Sequence, residues 1–287
     1  MTTINSIGRV LIIAGSDSSG GAGIQADIKT CAAFGAYSMT AITAVTAQNT
    51  VGVHEVEMMP AALVKAQIEA CLSDIGADVI KIGMLGNMDI INVVAEAITD
   101  IDAFVVLDPV MVATSGDRLL DADSIEAMKT KLVPLCDLIT PNVPEAEILT
   151  GLKIDDTDSM SVAGAKLLKM GAYAALMKGG HLSGKVLVDI LVSEDGTSHM
   201  TGPRLHSRHT HGTGCTLASA VAAAMALGAP LEEAVLSARD FVFEGIRTAP
   251  KLGKGHGPLN HGLVLGGEEP TEPSNTNNPF AALKDLK

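Results

Sequence analysis

The stretch VLIIAGSDSSGGAGIQADIKTCAAFG, residues 10–35, holds an apolar run, a glycine-rich loop and a helical pattern in immediate succession. The run at residues 10–14 is apolar throughout, as expected of a strand that is buried on both faces of a parallel sheet. Residues 22–34 have helical spacing and are followed by Gly35, a frequent helix terminator. This unit predicts a strand, a loop that can wrap a small ligand, and a helix, which together open an α/β fold.

The same alternation continues along the chain. Further strands are predicted at residues 38–45, 79–84, 104–107, 138–140 and 174–177, and further helices at 60–75, 89–99, 124–132, 144–149, 159–170, 214–227 and 231–248. An apolar run at residues 186–192, followed by Asp195-Gly196 and a short segment at residues 199–201, predicts a hairpin. The pattern therefore predicts a three-layer α/β sandwich with a central, mostly parallel sheet and an antiparallel edge hairpin.

Composition limits the class of protein. The chain has 287 residues, a net charge of −13 and an aromatic content of only 2%. An acidic surface repels phosphate backbones, and few rings are present for base stacking, so nucleic acid is not expected as a partner. Because no apolar run approaches ~18 residues, no membrane association is expected either. We expect one domain over residues 1–265 and a disordered tail over the polar, proline-rich residues 266–287.

The cysteines indicate a reducing compartment. Cys31, Cys71, Cys136 and Cys215 are widely spaced and form no CxxC pair. Neither a disulfide framework nor a zinc site has this spacing. We therefore expect free thiols and a cytoplasmic location.

Two glycine motifs resemble nucleotide-binding fingerprints without their context. GAGIQA at residues 21–26 matches G-x-G-x-x-A, but six residues separate it from the first strand and no acidic residue ends the second strand. GGHLSGKV at residues 179–186 has valine where a P-loop needs serine or threonine, and a predicted strand follows it. Both patterns disfavour a dehydrogenase or a Walker-type nucleotide site.

The segment THGTGCT, residues 210–216, leads into a helix rich in small residues. Glycines at a helix start expose several amide hydrogens around one point, which suits the charge on a transferring phosphoryl group. Cys215 would lie in the first turn, where the helix dipole is expected to lower the pKa of its thiol. A tight turn with a buried cysteine is the structural alternative.

Polar residues also follow the later strands. Asp108, Asn142 and Glu145 carry oxygen ligands of the kind that Mg²⁺ uses, and Lys178 would place a cation at the same edge of the sheet. Helix capping is the alternative for the acidic and amide residues, and a capping box fits Asn142 and Glu145. The histidines near residue 209 lack the spacing of a metal site.

Several ordered motifs together resemble the ribokinase superfamily, and more closely the hydroxymethylpyrimidine/phosphomethylpyrimidine kinase family of its vitamin-kinase branch. The resemblance covers roughly residues 8–262. The motifs are AGSDSSGGAGIQADIKT (14–30), TAVTAQNT (43–50), KIGML (81–85), VVLDPVM (105–111), SGDRLL (115–120), LITPNVPEAEIL (138–149), LMKGGH (176–181) and THGTGCTLASA (210–220). One departure is Ser18, where the family commonly has proline.

The resemblance implies two ATP-dependent phosphorylations in thiamine diphosphate biosynthesis, first of 4-amino-5-hydroxymethyl-2-methylpyrimidine and then of its monophosphate. Substrate and ATP would lie end to end in a crevice at one edge of the sheet. The implied substrate contacts are Gly15, Asp17, Ala22, Gln48, Met84 and Val110, the implied ATP contacts are Asn142, Lys178 and Thr210, and the implied Mg²⁺ residues are Asp108 and Glu145. Gly212, Thr213 and Gly214 would form the anion hole, and Cys215 would take the place of the aspartate base of sugar kinases. A homodimer is the implied assembly.

Other functions stay open at this level. A pyridoxal kinase, or an enzyme that uses both substrates, would need a similar site, although Gln48 and Met84 favour an aminopyrimidine. A binding protein without catalysis could keep the fold, but Asp108, Glu145, Lys178 and Cys215 argue against it.

Overall fold

The computed structural model describes residues 7–111 and 120–262. Most of the motif at residues 115–120 and the expected tail at 266–287 lie outside these ranges. Strands in the described ranges are β1 (Arg9–Asp17), β2 (Tyr37–Asn49), β3 (Gly52–Met58), β4 (Val79–Ile82), β5 (Phe104–Leu107), β6 (Leu138–Ile139), β7 (Ala174–Met177), β8 (Val186–Ser193) and β9 (Gly196–Pro203). They form one sheet in the order β3-β2-β1-β4-β5-β6-β7-β8-β9.

The sheet is mostly parallel, as predicted. β1 pairs in parallel with β2 and β4, and the parallel pairing continues through β7. β8 and β9 add the predicted antiparallel hairpin at one edge. β3, antiparallel to β2 at the other edge, was not predicted. Its residues are half-buried or exposed, so it has no apolar face for the sequence pattern to show.

The helices in the described ranges agree with the predicted ones. They are α1 (Gly23–Phe34), α2 (Ala61–Asp74), α3 (Met88–Ile98), α4 (Ala122–Ala127), α5 (Val143–Thr150), α6 (Thr157–Lys169), α7 (Thr213–Ala226) and α8 (Leu231–Arg247). α1 ends at Gly35, whose φ of +84° is readily adopted by glycine. The predicted helix at 124–132 is shorter: α4 gives way to a π-helical turn at Met128–Leu132, ahead of Pro134, which lacks an amide hydrogen. Across the described ranges no helix is both long and apolar enough to cross a membrane.

Two apolar cores lie on opposite faces of the sheet. Val10, Ile12 and Ala14 of β1 belong to a core that includes buried residues of α1, α7 and α8. Leu11 and Ile13 belong to the other core, with α2 to α6. This alternation along one strand confirms the three-layer sandwich, since successive side chains of a strand point to opposite faces.

The strand order reverses at β1, which is where a ligand crevice is expected. The chain passes from β1 to β2 on one side and returns to β4 on the other side of β1. In an open parallel sheet, ligands bind at the carboxyl ends of strands at such a reversal. The loops that follow β1, β4, β5, β6 and β7 share this edge, and they contain most of the site residues implied by the resemblance.

Candidate active site

The glycine-rich loop after β1 is held closed by its own carboxylate. Asp17 is buried and accepts hydrogen bonds from the backbone amides of Ser19 (2.8 Å), Gly21 (3.2 Å) and Ala22 (2.8 Å). Gly23 has a φ of +54°, and a Cβ atom there would lie 2.4 Å from a backbone oxygen at the start of the loop. Only glycine fits this turn without strain. The Asp17 side chain therefore shapes the loop from within.

The loop packs directly on the start of α7. Gly212 has a φ of +82°, and a Cβ atom there would lie 1.8 Å from the carbonyl oxygen of Gly21. The preceding residue, His211, is buried, and its Nε2 lies 2.8 Å from Oδ2 of Asp17. Sequence reasoning considered this histidine only as part of a possible metal cluster. Its place inside the THGTGC motif was the signal that it belongs to the site.

The N-terminus of α7 forms the expected amide cradle. Thr213, Gly214 and Cys215 make up its first turn, and Thr216 donates its amide hydrogen to the Gly212 carbonyl. First-turn amides have no acceptor within the helix, and the helix dipole adds partial positive charge. The carbonyl of Thr210 accepts bonds from the Thr213 hydroxyl (2.7 Å) and amide (3.2 Å), so Thr210 fixes the turn through its backbone.

Cys215 lies in this first turn, but the expected lowering of its thiol pKa is wrong. Burial raises the pKa of the Cys215 thiol to about 12, although the side chain keeps some exposure. The charges of Asp27 and Asp108 raise it as well, while Lys81 lowers it. Desolvation and the neighbouring carboxylates therefore raise the thiol pKa against the charge of Lys81. In the unliganded protein the group is a thiol at neutral pH.

A lysine and two carboxylates lie next to the cradle. Lys178 Nζ lies 3.0 Å from Oδ1 of Asp108 and 3.9 Å from Oε2 of Glu145. A Cβ atom added to Gly214 would lie 3.3 Å from Lys178 Nζ and 3.4 Å from Oδ2 of Asp108. Thr140 Oγ1 donates to Asp108 Oδ1 at 3.3 Å. The cluster after β5, β6 and β7 thus adjoins the helix start that would hold a phosphoryl group.

Asn142 and Glu145 form the capping box that was the structural alternative. Asn142 Oδ1 accepts from the Glu145 amide (2.9 Å), and Glu145 Oε2 accepts from the Asn142 amide (2.8 Å). The Glu145 side chain also faces Lys178 at 3.9 Å, so the residue that caps α5 is also part of the cluster of charges beside α7. Burial raises the pKa of Glu145 to about 7; Lys178 lowers it and Asp108 raises it. Glu145 therefore changes charge near neutral pH.

Three of the residues implied for substrate binding, Gly15, Gln48 and Met84, lie in or beside the glycine-rich loop. A Cβ atom at Gly15 would lie 2.7 Å from Cε of Met84, so these two residues touch. Gln48, at the end of β2, is near Thr46 and His211. Val110 is half-buried and donates its amide hydrogen to the Asp108 carbonyl at 2.8 Å. No aromatic residue is among those implied.

A second lysine–aspartate pair was missed from the sequence. Lys81 Nζ lies 2.9 Å and 2.8 Å from the two carboxylate oxygens of Asp27, and both side chains are fully buried. Ser219 Oγ donates to the same carboxylate at 2.7 Å. The one sequence signal was a lysine inside the apolar strand VIKI of β4. This pair joins α1, β4 and α7 in the interior of the sandwich.

The fold and the site together define a ribokinase-like small-molecule kinase, since an amide cradle, a lysine and carboxylates surround one point beside a small-ligand loop. A family model described as phosphomethylpyrimidine kinase matches residues 17–260. The chain belongs to this family, as its motifs predicted.

Individual relatives agree. The chain is 48% identical to the thiamine biosynthesis bifunctional protein ThiED of Geobacter sulfurreducens, over 90% of this chain and 53% of that protein, so it spans about half the length of that relative. It is 45% identical to a hydroxymethylpyrimidine/phosphomethylpyrimidine kinase of Streptomyces coelicolor, over 90% of this chain and 95% of the other. The structure of the pyridoxal kinase from Staphylococcus aureus in complex with ADP is similar with a TM-score of 0.84 and 37% identity, over 90% of this chain and 94% of the other.

Proposed function

We propose that this protein transfers the γ-phosphoryl group of ATP to the hydroxymethyl group of 4-amino-5-hydroxymethyl-2-methylpyrimidine, and then phosphorylates the monophosphate. The observation that carries the proposal is the position of Gly214, where an added Cβ atom would lie 3.3 Å from Lys178 Nζ and 3.4 Å from Oδ2 of Asp108. This places an amide cradle and a cation at one point, which is what a transferring phosphoryl group needs. The names of the relatives from Geobacter sulfurreducens and Streptomyces coelicolor support the pyrimidine substrate.

The residues would divide the work as follows. In the first transfer, the hydroxymethyl oxygen forms a bond to the γ-phosphorus and releases its proton ultimately to solvent, while the bond from that phosphorus to the ADP oxygen breaks and its electron pair stays on ADP. Lys178 and the amides of the α7 first turn stabilise the charge on the equatorial oxygens, and the Asp17 loop encloses the ring. Because the Cys215 thiol is protonated in the unliganded protein, alignment and charge stabilisation contribute more than proton abstraction.

We infer that Mg²⁺ accompanies ATP at Asp108 and Glu145. Their carboxylates are hard oxygen ligands, and Lys178 lies between them. In residues 7–111 and 120–262 no group of three or more histidine, cysteine, aspartate or glutamate side chains could cage an ion. A pair of carboxylates fits Mg²⁺, which commonly takes its other ligands from water and phosphate oxygens. The ion would supply charge neutralisation along the phosphate chain.

A coupled ATPase assay with the pyrimidine, its monophosphate and pyridoxal tests the function. Phosphorus NMR of the products separates the first transfer from the second. We expect turnover of both pyrimidines, with Mg²⁺ required. An enzyme that turns over pyridoxal alone would contradict the proposal.

Pyridoxal phosphorylation is the second candidate. The similarity to the pyridoxal kinase from Staphylococcus aureus, at 37% identity and a TM-score of 0.84, favours testing it. Both substrates are six-membered heteroaromatic rings with a hydroxymethyl group, so one crevice can hold either. A competition assay, in which pyridoxal inhibits pyrimidine phosphorylation and is itself phosphorylated, would show a dual-substrate enzyme.

We also propose a cytoplasmic homodimer. All four cysteines lie in the described residues and are free thiols, which supports a reducing compartment. β2 exposes Tyr37 (51%) and Val45 (46%), and Val56 of β3 is also exposed (39%), so this edge of the sheet offers apolar surface to a second copy. Light scattering after size exclusion would give the mass, and Val45→Glu should shift it to that of the monomer. A wild-type mass of about 29.5 kDa would contradict the dimer.

We further infer that residues 1–265 suffice for catalysis. A chain ending at residue 265 should keep the turnover of the 287-residue chain. Loss of turnover in a folded truncation would assign a role to residues 266–287.

A further inference from the structure

The side-chain amide of Gln48 lies between two polar groups that are themselves held by neighbours. Its Oε1 is 3.2 Å from Thr46 Oγ1, and its Nε2 is 3.4 Å from His211 Nε2. Thr46 Oγ1 also lies 2.9 Å from the carbonyl oxygen of Ser16, and His211 Nε2 lies 2.8 Å from Asp17 Oδ2. Whether each neighbour of Gln48 can donate or accept a hydrogen bond determines which way its side-chain amide is turned.

At the His211 end, the carboxylate of Asp17 can only accept a hydrogen bond from the imidazole. Asp17 Oδ2 already receives the amide hydrogens of Gly21 and Ala22, and Oδ1 receives that of Ser19. Burial alone would raise the pKa of Asp17, but these bonds and the bond from His211 lower it to about 2, so it is ionised. A carboxylate 2.8 Å from an imidazole nitrogen requires a hydrogen on that nitrogen. His211 Nε2 is therefore a donor, and it meets the Gln48 nitrogen, also a donor, at 3.4 Å.

At the threonine end the conflict is the opposite one. The Thr46 hydroxyl has one hydrogen, and its shorter contact is to the Ser16 carbonyl, which can only accept. Thr46 Oγ1 can thus offer Gln48 only a lone pair, and it meets the Gln48 oxygen at 3.2 Å. Turning the amide by 180° leaves its shape unchanged, makes the Thr46 contact a hydrogen bond, and replaces the meeting of two donors at His211 by an attractive contact, since the single Nε2 hydrogen of His211 is given mainly to Asp17. The nitrogen then donates to Thr46, and the oxygen faces His211.

We propose that Asp17, His211 and Thr46 are positioning residues that hold the Gln48 amide in this one orientation and thereby set the choice between heterocycles. The proposal rests on the proposed function, in which Gln48 meets the substrate ring. In the bound state its second N–H and its second oxygen lone pair are offered to the ligand in a fixed order.

The order matters because the two candidate substrates present opposite patterns. Beside the carbon that bears the hydroxymethyl group, the aminopyrimidine offers a donor, its amino group, and then an acceptor, its ring nitrogen. Pyridoxal offers an acceptor, its aldehyde oxygen, and then a donor, its phenolic hydroxyl. A fixed amide can match one of these orders, whereas an amide free to turn can match either. The loop carboxylate at Asp17 would thus influence specificity without touching the substrate.

Removing the Thr46 contact or the His211 contact of the Gln48 amide tests whether its orientation sets the substrate preference. Thr46→Val removes the lone pair and keeps the side-chain shape, and His211→Phe removes the donor. We expect the ratio of kcat/KM for the pyrimidine over that for pyridoxal to fall about tenfold in Thr46→Val, the size of one lost hydrogen bond, and by a smaller factor in His211→Phe, where a longer contact is lost. Thr46→Ser should restore the ratio, because it keeps the hydroxyl.

Thr30→Val is the matched control and should leave the ratio unchanged. Thr30 is also a buried threonine that donates to a backbone oxygen, that of Ala26 (2.7 Å), but it lies in α1, and neither residue is among the implied substrate contacts. Equal losses for both substrates in Thr46→Val and His211→Phe, with an unchanged ratio, would overturn the inference. A wild-type enzyme that prefers pyridoxal would overturn the proposed function while leaving the ratio test in force. Absence of binding and turnover with either substrate would overturn both.

Discussion

Two buried lysine–aspartate pairs differ in how completely they are closed. Lys81 lies 2.8–2.9 Å from both oxygens of Asp27, and neither side chain is exposed. Lys178 lies 3.0 Å from one oxygen of Asp108, keeps 14% exposure, and has Glu145 at 3.9 Å as a second carboxylate. The first pair is balanced and sealed, whereas the second has an excess of carboxylate and an open side. An incompletely matched pair at a crevice indicates function, and a matched one in the interior indicates structure.

Their electrostatics agree with this division. Burial alone would lower the pKa of Lys81, but the charges of Asp27 and Asp108 and the hydrogen bond to Asp27 raise it above its ordinary value. Burial raises the pKa of Asp27, against the charge of Lys81 and the hydrogen bonds from Lys81 and Ser219, and the two contacts of 2.8–2.9 Å are those of an ion pair. The pKa of Lys178 is raised above its ordinary value for a similar reason, by Asp108 and Glu145 against the effect of burial. Both lysines are therefore cations at neutral pH, yet only Lys178 can turn its charge toward a ligand. Four predictions test the distinction.

The largest effect is expected for Lys81→Met. This change leaves the Asp27 carboxylate buried without its cation, with Ser219 as its remaining side-chain donor. Removing one member of a buried pair costs about 3–5 kcal/mol. We expect the free energy of unfolding, measured by urea denaturation, to fall by that amount.

The double variant Lys81→Met with Asp27→Leu is the control for a purely structural pair. Replacing both charges by apolar groups of similar volume is often neutral or stabilising, so most of the lost stability should return. A double variant as unstable as the single one would mean that the pair has no structural coupling.

Lys178→Met is expected to affect turnover more than stability. Losing one preorganised charge donor lowers kcat by about 10²–10³-fold. Because this lysine borders the crevice, Asp108 and Glu145 can regain water, and the unfolding free energy should fall less than in Lys81→Met. Lys166→Met, at an exposed lysine of α6, is the matched control and should change neither quantity. A kcat within threefold of the wild type would remove Lys178 from the transfer step.

The sequence predicted that Lys178 and Asp108 lie at one edge of the sheet, but not that Lys81 meets Asp27, and the reason is physical. Lys178 and Asp108 each follow an apolar strand, and the carboxyl ends of parallel strands meet at one edge, so their proximity follows from the fold class. Lys81 and Asp27 lie within a strand and a helix, 54 positions apart, and only the packing of α1 on the sheet brings them together. Local patterns indicate which elements form, but not which interior side chains meet.

The same limit applies to the site. The cradle at residues 212–214 was predictable because it depends on glycine and a helix start. The raised thiol pKa of Cys215 was not, since it results from burial and from Asp27 and Asp108, which are remote in the chain. The exposed strand β3 was missed because it has no buried face, and the role of Asp17 inside its loop required the observed bonds to the loop amides.

Cys215→Ala is expected to have the third-largest effect. Cys215 is influenced by both pairs, since Lys81 of one lowers the pKa of its thiol and Asp108 of the other raises it. We expect kcat to fall about 10²-fold, the lower range for a group that handles a proton in the transition state. Stability should change little, because the side chain is small and partly exposed. Unchanged turnover in a steady-state assay would remove Cys215 from the mechanism.

The smallest effect is expected from Glu145, the second carboxylate beside Lys178. The pKa of Glu145 is raised to about 7 in the folded protein, above the value of 4.5 for a free side chain. Between these values the folded state binds more protons than the unfolded state, so this group makes the protein less stable as pH rises from 4.5 to 7. The contribution of Glu145 to the free energy of unfolding falls by about 2 kcal/mol between roughly pH 5 and pH 7.

Denaturation of the wild type and of Glu145→Gln at both pH values, with a chelator and no nucleotide, measures this contribution. His261 acts with the opposite sign, since burial lowers its pKa to about 4 and its contribution is lost as pH falls from 6.5 toward 4. That effect is present in both proteins and cancels in the difference. The wild type should therefore lose more stability than Glu145→Gln on going from pH 5 to pH 7. Parallel pH dependences would mean that Lys178 keeps Glu145 ionised throughout, and the second pair would then be as well matched as the first.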